Sequence, residues 1–276
     1  MAITAADVNK LRQQTGAGMM DCKNALVEAN GDFEAAVDIL RKKGQKIAAK
    51  RGENDAREGV IFAQTTPDGK VGVVLTLNCE TDFVAKNDNY RNFVQSLVDI
   101  ALANLPATAE ELKALKYDDK LTIEEKITEQ VGVIGEKLDL SGYAVLRGEA
   151  VVAYNHPGNQ LATLVALNKG GEAVAEAGRQ VAMQVAAMNP IALNKDGVDA
   201  RTIEREIEVG KDLAIQEGKP ADMAEKIAQG RLAKFFKENT LLSQEFIRDN
   251  KLTVEQFLNS TDNGLTVTEF KRLSLS

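Results

Sequence analysis

Few side chains in this sequence could do acid–base chemistry at neutral pH. His156 is the single histidine, and it precedes Pro157 and Gly158 in a turn-forming segment. Because histidine titrates nearest neutral pH, a catalytic triad or a histidine-assisted nucleophile would have to use it. A histidine at a loop tip is more often a surface residue than a catalyst, although a contact with another protein stays open. With no nucleophile, base and orienting group to name, we do not expect an enzyme.

The two cysteines, Cys22 and Cys79, are the remaining reactive candidates. One lies in a helical segment and the other follows a strand-like run, where cysteine usually acts as a small buried hydrophobic residue. Two separate cysteines and one histidine exclude zinc sites built from Cys-x-x-Cys pairs or histidine clusters. We therefore expect no metal and no cofactor. Free thiols without a secretory signal also predict a cytoplasmic protein.

Residues 15–23 (TGAGMMDCK) are glycine-rich and end in lysine, as a phosphate-binding loop does. That loop needs Gly-x4-Gly-Lys-Ser/Thr after a buried strand, so that backbone N–H groups and a helix N-terminus point at the phosphates. Here a helical segment precedes the glycines, and the third glycine of a dinucleotide-binding fingerprint is absent. We therefore predict no nucleotide site in this chain.

The composition disfavours nucleic acids and membranes as partners. The chain has 276 residues, 44% of them hydrophobic and 27% charged, as is ordinary for a globular protein. Its formal net charge of -7 opposes binding to a phosphate backbone, and the 5% aromatic content leaves few rings on which bases could stack. No window approaches the roughly 18 apolar residues of a membrane span. We expect the partner to be a protein or a small molecule.

The N-terminal residues predict three short helices followed by a linker. Helix caps and glycine stops place the helix ends near Gly16, at Asn30-Gly31 and at Gly44. Residues 41–58 carry few large apolar side chains and many charges, which indicates a solvated linker. Its basic residues could contact RNA, but we favour the interpretation in which they complement the dipole of a helix C-terminus.

An internal repeat organises the next part of the chain. Residues 59–78 and 149–168 both have the pattern of strand, turn and strand, and they align with Pro67 of one turn on Pro157 of the other. A helical period follows each hairpin. We interpret the pattern as a duplicated unit of antiparallel strands covered by helices on one face, with two unrelated hairpins as the alternative.

The remaining segments complete an α+β fold. Helices are expected at about 88–104 and 172–188, and further strands at about 138–147, before the second hairpin, and 265–270, at the edge of the second sheet. Residues 198–239 predict an antiparallel helical hairpin with a narrow apolar stripe, including Ile203, Ile207, Met223, Ile227 and Phe235. This hairpin is either a contact with a partner, a contact in a homodimer or a long insertion.

Two apolar features are difficult to place in a core. Met19 and Met20 begin a helix, and adjacent residues there cannot both point inward, so we expect one to be exposed, where a flexible thioether suits a protein interface. Residues 78–84 (NCETDFV) run from a buried strand into a polar turn. In that turn Phe83 is either a staple residue beside a helix cap or an exposed aromatic anchor for a partner's pocket. The residues alone favour the staple slightly.

These segments closely resemble bacterial translation elongation factor Ts, the nucleotide exchange factor of the GTPase elongation factor Tu. The strongest matches are residues 11–23 (LRQQTGAGMMDCK), 28–32 (EANGD) and 78–86 (NCETDFVAK), and the similarity extends to 134–136, 156–158 and 218–220. The resemblance implies a module like a ubiquitin-associated domain at 1–52, a core subdomain at 53–140, a related one at 141–197 with 240–276, and a helical hairpin inserted at 198–239.

The resemblance also implies which residues bind the partner. The family's Thr-Asp-Phe-Val loop wedges between two helices of the GTPase domain, which assigns insertion to Asp82 and Phe83, with Thr81 and Val84 beside them. The positions that match further family contacts are Arg12, Met19 and Met20, toward another helix of that domain, and Ile134, Gly135 and His156, toward a distal domain. Insertion would disturb the Mg²⁺ and phosphate site of the GTPase and release GDP. A scaffold that holds a GTPase without exchange is the alternative function.

Overall fold

The computed structural model describes residues 3–275, without the side chains of residues 221 and 222. Its helices are α1 (Ala5–Thr15), α2 (Met19–Glu28), α3 (Phe33–Arg51), α4 (Asp82–Ala85), α5 (Asp88–Asn104), α6 (Ala109–Ala114), α7 (Ile123–Ile134), α8 (Glu172–Met188), α9 (Ala200–Gln216), α10 (Ala221–Asn239) and α11 (Val254–Thr261). Its strands are β1 (Glu58–Thr65), β2 (Val71–Cys79), β3 (Asp139–Arg147), β4 (Ala150–Asn155), β5 (Leu161–Leu167), β6 (Glu245–Phe246), β7 (Asp249–Thr253) and β8 (Val267–Ser274). Short 3₁₀ turns lie at Lys195–Gly197 and Leu241–Ser243. The predicted α+β class is confirmed.

The chain forms two compact units, which we describe separately. The first unit contains the described residues up to Phe62, then Val74–Val145, and the chain from Leu273 onward. The second unit contains Ala63–Val73 and Leu146–Arg272. The division at 52, 140, 197 and 239 that the sequence suggests stays a prediction.

The first unit opens with the three predicted helices, each begun by local sequence chemistry. Thr4 and Asp7 form a capping box at α1, in which Thr4 Oγ1 accepts from Asp7 N at 3.2 Å and Asp7 Oδ2 accepts from Thr4 N at 3.0 Å. Asp32 caps α3 by accepting from Ala35 N at 3.1 Å. The side chains enclosed between the helices include Val8, Leu11, Cys22, Ala25, Leu26 and Ala36.

The prediction that the third helix ends at Gly44 was wrong, because this glycine is a contact between helices. α3 continues to Arg51, and Gly44 is buried against α7. A Cβ on Gly132 of α7 would lie 2.6 Å from Gly44 Cα, and a Cβ on Gly44 would lie 3.1 Å from Thr128 O. Two glycines thus let the helix backbones touch. Much of the predicted linker at 41–58 is therefore helix.

Two small sheets share one pattern of strand order. The orders are β1-β2-β3 and β4-β5-β8, so each sheet has the second strand of its hairpin at the centre. β4 pairs antiparallel with β5, from Ala150 opposite Leu167 to Asn155 opposite Ala162. The strand predicted before the second hairpin is β3, which joins the first sheet. The strand predicted at the edge of the second sheet is confirmed as β8.

In the second unit, α8 covers the sheet and α9 and α10 form the predicted hairpin. Val174, Val181 and Val185 of α8 are buried with Val165 and Leu167 of β5. The predicted apolar stripe of α10 was partly wrong, because the close approach of the two helices selects small side chains there. Ala224 and Ala228 are buried, Gly210 of α9 lies against Ala228, and Met223 is 49% exposed.

Candidate partner-binding site

The Thr81–Val84 turn, which connects β2 with α5, presents an aromatic ring to solvent. Thr81 caps the one-turn helix α4, and its Oγ1 accepts from Val84 N at 3.4 Å. Phe83 is 82% exposed, so it is not the hydrophobic staple that the residues alone favoured. The cap and the exposed aromatic, which were alternatives in the sequence, occur together. An exposed ring on an ordered turn can bury its area in a partner's pocket.

A carboxylate from a distant part of the chain holds this turn. Glu136, which follows α7, accepts from the backbone N–H groups of Glu80 and Thr81, both at 3.1 Å, through Oε2. Its Oε1 accepts from Thr81 Oγ1 at 2.7 Å. The Cys79 thiol donates to Thr81 O at 3.2 Å. The backbone that leads to Phe83 is therefore fixed from two sides.

Glu80 forms a second carboxylate centre beside the turn. It accepts from Lys137 N at 2.6 Å, from Asn54 Nδ2 at 3.0 Å and from Arg51 Nη1 at 2.8 and 2.9 Å. Burial raises the pKa of Glu80, but these hydrogen bonds outweigh it and hold the pKa below its ordinary value. Because Arg51 ends α3, this charged carboxylate connects the N-terminal helices to the turn.

Asp82 is ionised at neutral pH and is paired within its own turn. Lys86 Nζ donates to Asp82 Oδ2 at 2.6 Å, and this hydrogen bond is the main cause of the lowered pKa of Asp82. The same bond raises the pKa of Lys86. The side chain of Lys86 is largely exposed and that of Asp82 is about half exposed, so a partner can replace Lys86 as the donor to Asp82.

Neither cysteine is placed as a reactive thiol, since Cys22 packs among the N-terminal helices and Cys79 ends β2 just before the turn. Cys22 and Cys79 are both buried. Burial raises the pKa of the Cys79 thiol to about 11, so it is protonated at neutral pH and is a poor nucleophile. Tyr90 of α5 is buried and donates to Leu77 O at 2.8 Å, which joins α5 to β2.

The N-terminal helices of the same unit expose two methionines. The sequence predicts that one of the two is exposed, whereas both are: Met19 is 58% exposed and Met20 is 64% exposed. Arg12 of α1 is exposed as well. The segment between the helices is ordered by Thr15, whose hydroxyl donates to Leu11 O at 2.8 Å and accepts from Ala17 N at 3.3 Å. Exposed, flexible apolar side chains and an exposed arginine are residue types that suit a protein contact.

Ile134 and Gly135 directly precede Glu136, the residue whose carboxylate binds the turn. Ile134 is the last residue of α7, and Gly135 caps it in the left-handed conformation with φ 82°. Both are half-buried. His156 lies in the second unit, exposed beside Tyr154, with 2.9 Å between its Nδ1 and the Tyr154 hydroxyl. The two form one side of a groove of about 340 Å³ that is also lined by Leu161, Met183, Ala186, Ala187 and Ile247.

The sequence reasoning missed the residues that hold the turn. Glu80 and Glu136 belong to the matched segments, but no role was assigned to either, and Arg51 was placed in a linker. The available signal was the position of Glu80, a carboxylate directly after a buried strand, which requires donors. Which donors it finds depends on tertiary structure.

The structure shows neither a metal centre nor a membrane-spanning helix in the part of the chain that it describes. Within residues 3–275 no group of His, Cys, Asp or Glu is arranged to hold a metal ion. No helix there is long and apolar enough to cross a membrane.

Comparison with known proteins identifies one family. The family model described as elongation factor TS matches residues 80–276. A protein named elongation factor Ts from Amoebophilus asiaticus is 56% identical over 274 residues, which is 99% of each chain. Relatives of the same name from Cytophaga hutchinsonii and Christiangramia forsetii are 53% and 52% identical, over 99% of this chain and 99% and 98% of theirs.

Proposed function

We propose, since the chain belongs to the elongation factor Ts family, that it promotes release of GDP from the GTPase elongation factor Tu by inserting the turn that carries Asp82 and Phe83. The chain does no covalent chemistry in this proposal. It binds the GTPase, weakens the hold on GDP, and is itself displaced when GTP binds.

The observation that carries the proposal is the 82% exposure of Phe83 on a turn held by Glu136. Burying a Phe side chain stabilises a complex by about 1.5–3 kcal/mol, and this free energy is available for binding. Because the turn is already ordered, little conformational entropy is lost on docking. Asp82 adds a charged acceptor beside the ring once its bond to Lys86 is exchanged.

The exchange mechanism is a coupling between two sites on the partner. Entry of Phe83 between helices of the GTPase domain displaces the groups that shape its Mg²⁺ and phosphate site. Linkage requires that nucleotide weaken the binding of this chain by the same factor by which this chain weakens the binding of nucleotide. The corresponding coupling free energy is about 1–3 kcal/mol in typical allosteric pairs. Reciprocity explains how one molecule could act on many GTPases in turn.

The remaining residues widen the contact. Arg12, Met19 and Met20 would bind a second helix of the GTPase domain. Ile134, Gly135 and His156 would bind a distal domain of the partner. These assignments rest on the family resemblance, and the exposure of the methionines and of His156 supports them.

The direct test is release of a fluorescent GDP analogue from elongation factor Tu. Catalytic amounts of this chain should accelerate release, and Phe83→Ala should lose most of the acceleration with an unchanged circular dichroism spectrum. Ile191→Ala is the control, because Ile191 is another exposed large apolar residue, 50% exposed, but lies in the second unit. Unaccelerated release with the wild-type chain would refute the proposal, and retained binding in the presence of either nucleotide would favour a scaffold.

A homodimer through the helical hairpin is a separate proposal. Val209, Leu213 and Met223 on α9 and α10 are each at least 40% exposed, which leaves apolar area for a second copy. Sedimentation velocity should then show a dimer that Leu213→Glu dissociates. A monomer at all concentrations would reject it.

A further inference from the structure

The turn that carries Phe83 cannot order itself. α4 has 4 residues, and none of them is buried. Isolated helices shorter than about 12–15 residues are marginal in water, so a single exposed turn needs support from outside. The supporting contacts come from Glu136 to the backbone before the turn and to its cap.

Two segments exchange carboxylate hydrogen bonds at this point. Glu136 accepts from the N–H groups of Glu80 and Thr81, while Glu80 accepts from the N–H of Lys137. Each carboxylate thus binds the backbone of the other segment, and charged acceptors make such bonds shorter and stronger than neutral ones. We call this arrangement, Glu80 and Glu136 with the N–H groups that they bind, the carboxylate clamp.

We propose that Glu136 is a positioning residue for nucleotide exchange, which acts through the carboxylate clamp by holding the Thr81 cap and so the direction of the Phe83 ring. This inference rests on the proposed function. Glu136 itself need not touch the partner or its nucleotide.

Glu80 extends the same clamp to the N-terminal helices. Its carboxylate binds Arg51 at the end of α3, and Lys137 Nζ donates to the carbonyl groups of Gly52 and Asn54 at 2.8 and 3.0 Å. The helical module that exposes Met19 and Met20 is therefore joined to the turn by hydrogen bonds as well as by the chain. The clamp sets the spacing of the two proposed contacts.

Three replacements of Glu136 separate geometry from charge. Glu136→Ala removes three hydrogen bonds and should lower the second-order rate constant for GDP release about tenfold or more. Glu136→Asp is one methylene too short to reach Thr81 and should behave similarly. In Glu136→Gln the amide oxygen can accept both N–H groups while the amide N–H donates to the Thr81 hydroxyl, so most activity should remain.

Glu129 provides the matched control. It lies on α7, its side chain is 13% exposed, and it pairs with Lys126 and Arg41, with no hydrogen bond to the turn. Glu129→Ala should lower stability without lowering the exchange rate measured below its melting temperature. An equal loss of exchange in Glu129→Ala would show that Glu136 matters only for folding.

The decisive readouts are a double mutant and amide hydrogen exchange. If Glu136 acts through Phe83, adding Glu136→Ala to Phe83→Ala should cause no further loss in the second-order rate constant for GDP release. In the free protein, Glu136→Ala should accelerate amide exchange at Glu80 and Thr81. Unchanged amide protection, or a full tenfold loss in the Phe83→Ala background, would overturn the inference.

These readouts distinguish the two possible failures. If Phe83→Ala exchanges GDP as fast as the wild type, the proposed function fails, whatever amide exchange shows. If Phe83→Ala is inactive but Glu136→Ala is fully active, the proposed function stands and the positioning role of Glu136 fails.

Discussion

The two sheets, which share one pattern of strand order, differ most where the central strand runs into the following helix. In the first, residues 80–87 separate β2 from α5 and include the exposed Phe83. In the second, residues 168–171 separate β5 from α8, and the helix begins after Gly171 with no side-chain cap. The same scaffold therefore carries a plain connection in one place and a held aromatic turn in the other.

The strand ends themselves are alike. The side chain of Asn78 donates to Glu58 O at 3.0 Å, and that of Asn168 donates to Gly264 O at 2.9 Å. Ser141 Oγ donates to Asn78 Oδ1, and Thr266 N donates to Asn168 Oδ1. Each asparagine thus ties the end of a central strand to neighbouring segments. The inserted turn, rather than the sheet, therefore carries the proposed function, as is usual for loops on rigid scaffolds.

The largest expected effect comes from removing the Phe83 ring and placing an aromatic residue at the corresponding position of the second unit. The repeat alignment places Ala173, exposed in the first turn of α8, opposite Phe83. Phe83→Ala should reduce the second-order rate constant for accelerated GDP release about 100-fold, because truncation of a hot-spot residue costs about 2–4 kcal/mol of interaction free energy with the partner. The double variant Phe83→Ala/Ala173→Phe should be no better, since α8 provides no projecting turn. Restored release in the double variant would show that the turn is dispensable.

The glycine contact between α3 and α7 attaches the N-terminal helices to the rest of the first unit. Its contribution to stability can be measured by substitution. Gly132→Ala should destabilise the protein by about 1–3 kcal/mol, because the new Cβ overlaps Gly44. Gly230→Ala is the control, since a Cβ there meets nothing within 4 Å, and it should stabilise α10 by about 0.5–1 kcal/mol. Urea unfolding measures both, and equal stability of the two variants would contradict the described packing.

The two asparagines at the strand ends differ in burial and should therefore differ in their contribution to stability. Asn78 is 9% exposed, so Asn78→Ala leaves partners without water and should cost about 1–2 kcal/mol of unfolding free energy. Asn168 is exposed, and Asn168→Ala should cost less than about 1 kcal/mol because water replaces its bonds. Thermal unfolding would test the order, and a larger loss at Asn168 would reverse it.

Acid should weaken the carboxylate clamp, with a smaller effect on the free energy of unfolding than the substitutions above. The pKa of Glu80 is lowered in the folded state from its ordinary value of 4.5, so its contribution is complete above that value and is lost as the pH falls through the folded-state pKa. We expect at most about 1 kcal/mol for this partly exposed group. The difference in unfolding free energy between wild type and Glu80→Gln should shrink toward zero as the pH falls below the folded-state pKa of Glu80. A difference that grows on acidification would give the wrong sign.

Local patterns predicted much of the fold. The periods over 88–104 and 172–188 match α5 and α8, because these helices bury a continuous stripe and are bounded by caps or glycines. The predicted end of α3 at Gly44 was wrong, because a glycine can either stop a helix or allow close contact with a second helix. Which of the two applies depends on the residue that it faces, here Gly132.

The candidate site was predictable only in part, because there too one local pattern has two uses. Residues alone left Phe83 between staple and anchor, since both uses place an aromatic residue beside a cap. The carboxylate that binds the turn belongs to Glu136, which lies far along the chain and reaches Thr81 only in the folded unit. The resemblance identified the turn, but not the carboxylates that hold it.

The most direct test of the central claim is the rate of GDP release from elongation factor Tu at saturating Phe83→Ala. A ring that opens the nucleotide site predicts that this variant, even when fully bound, leaves release near the rate of the GTPase alone. If saturating Phe83→Ala reached the wild-type maximal rate, the ring would only strengthen binding, and the claim that it drives release would be wrong.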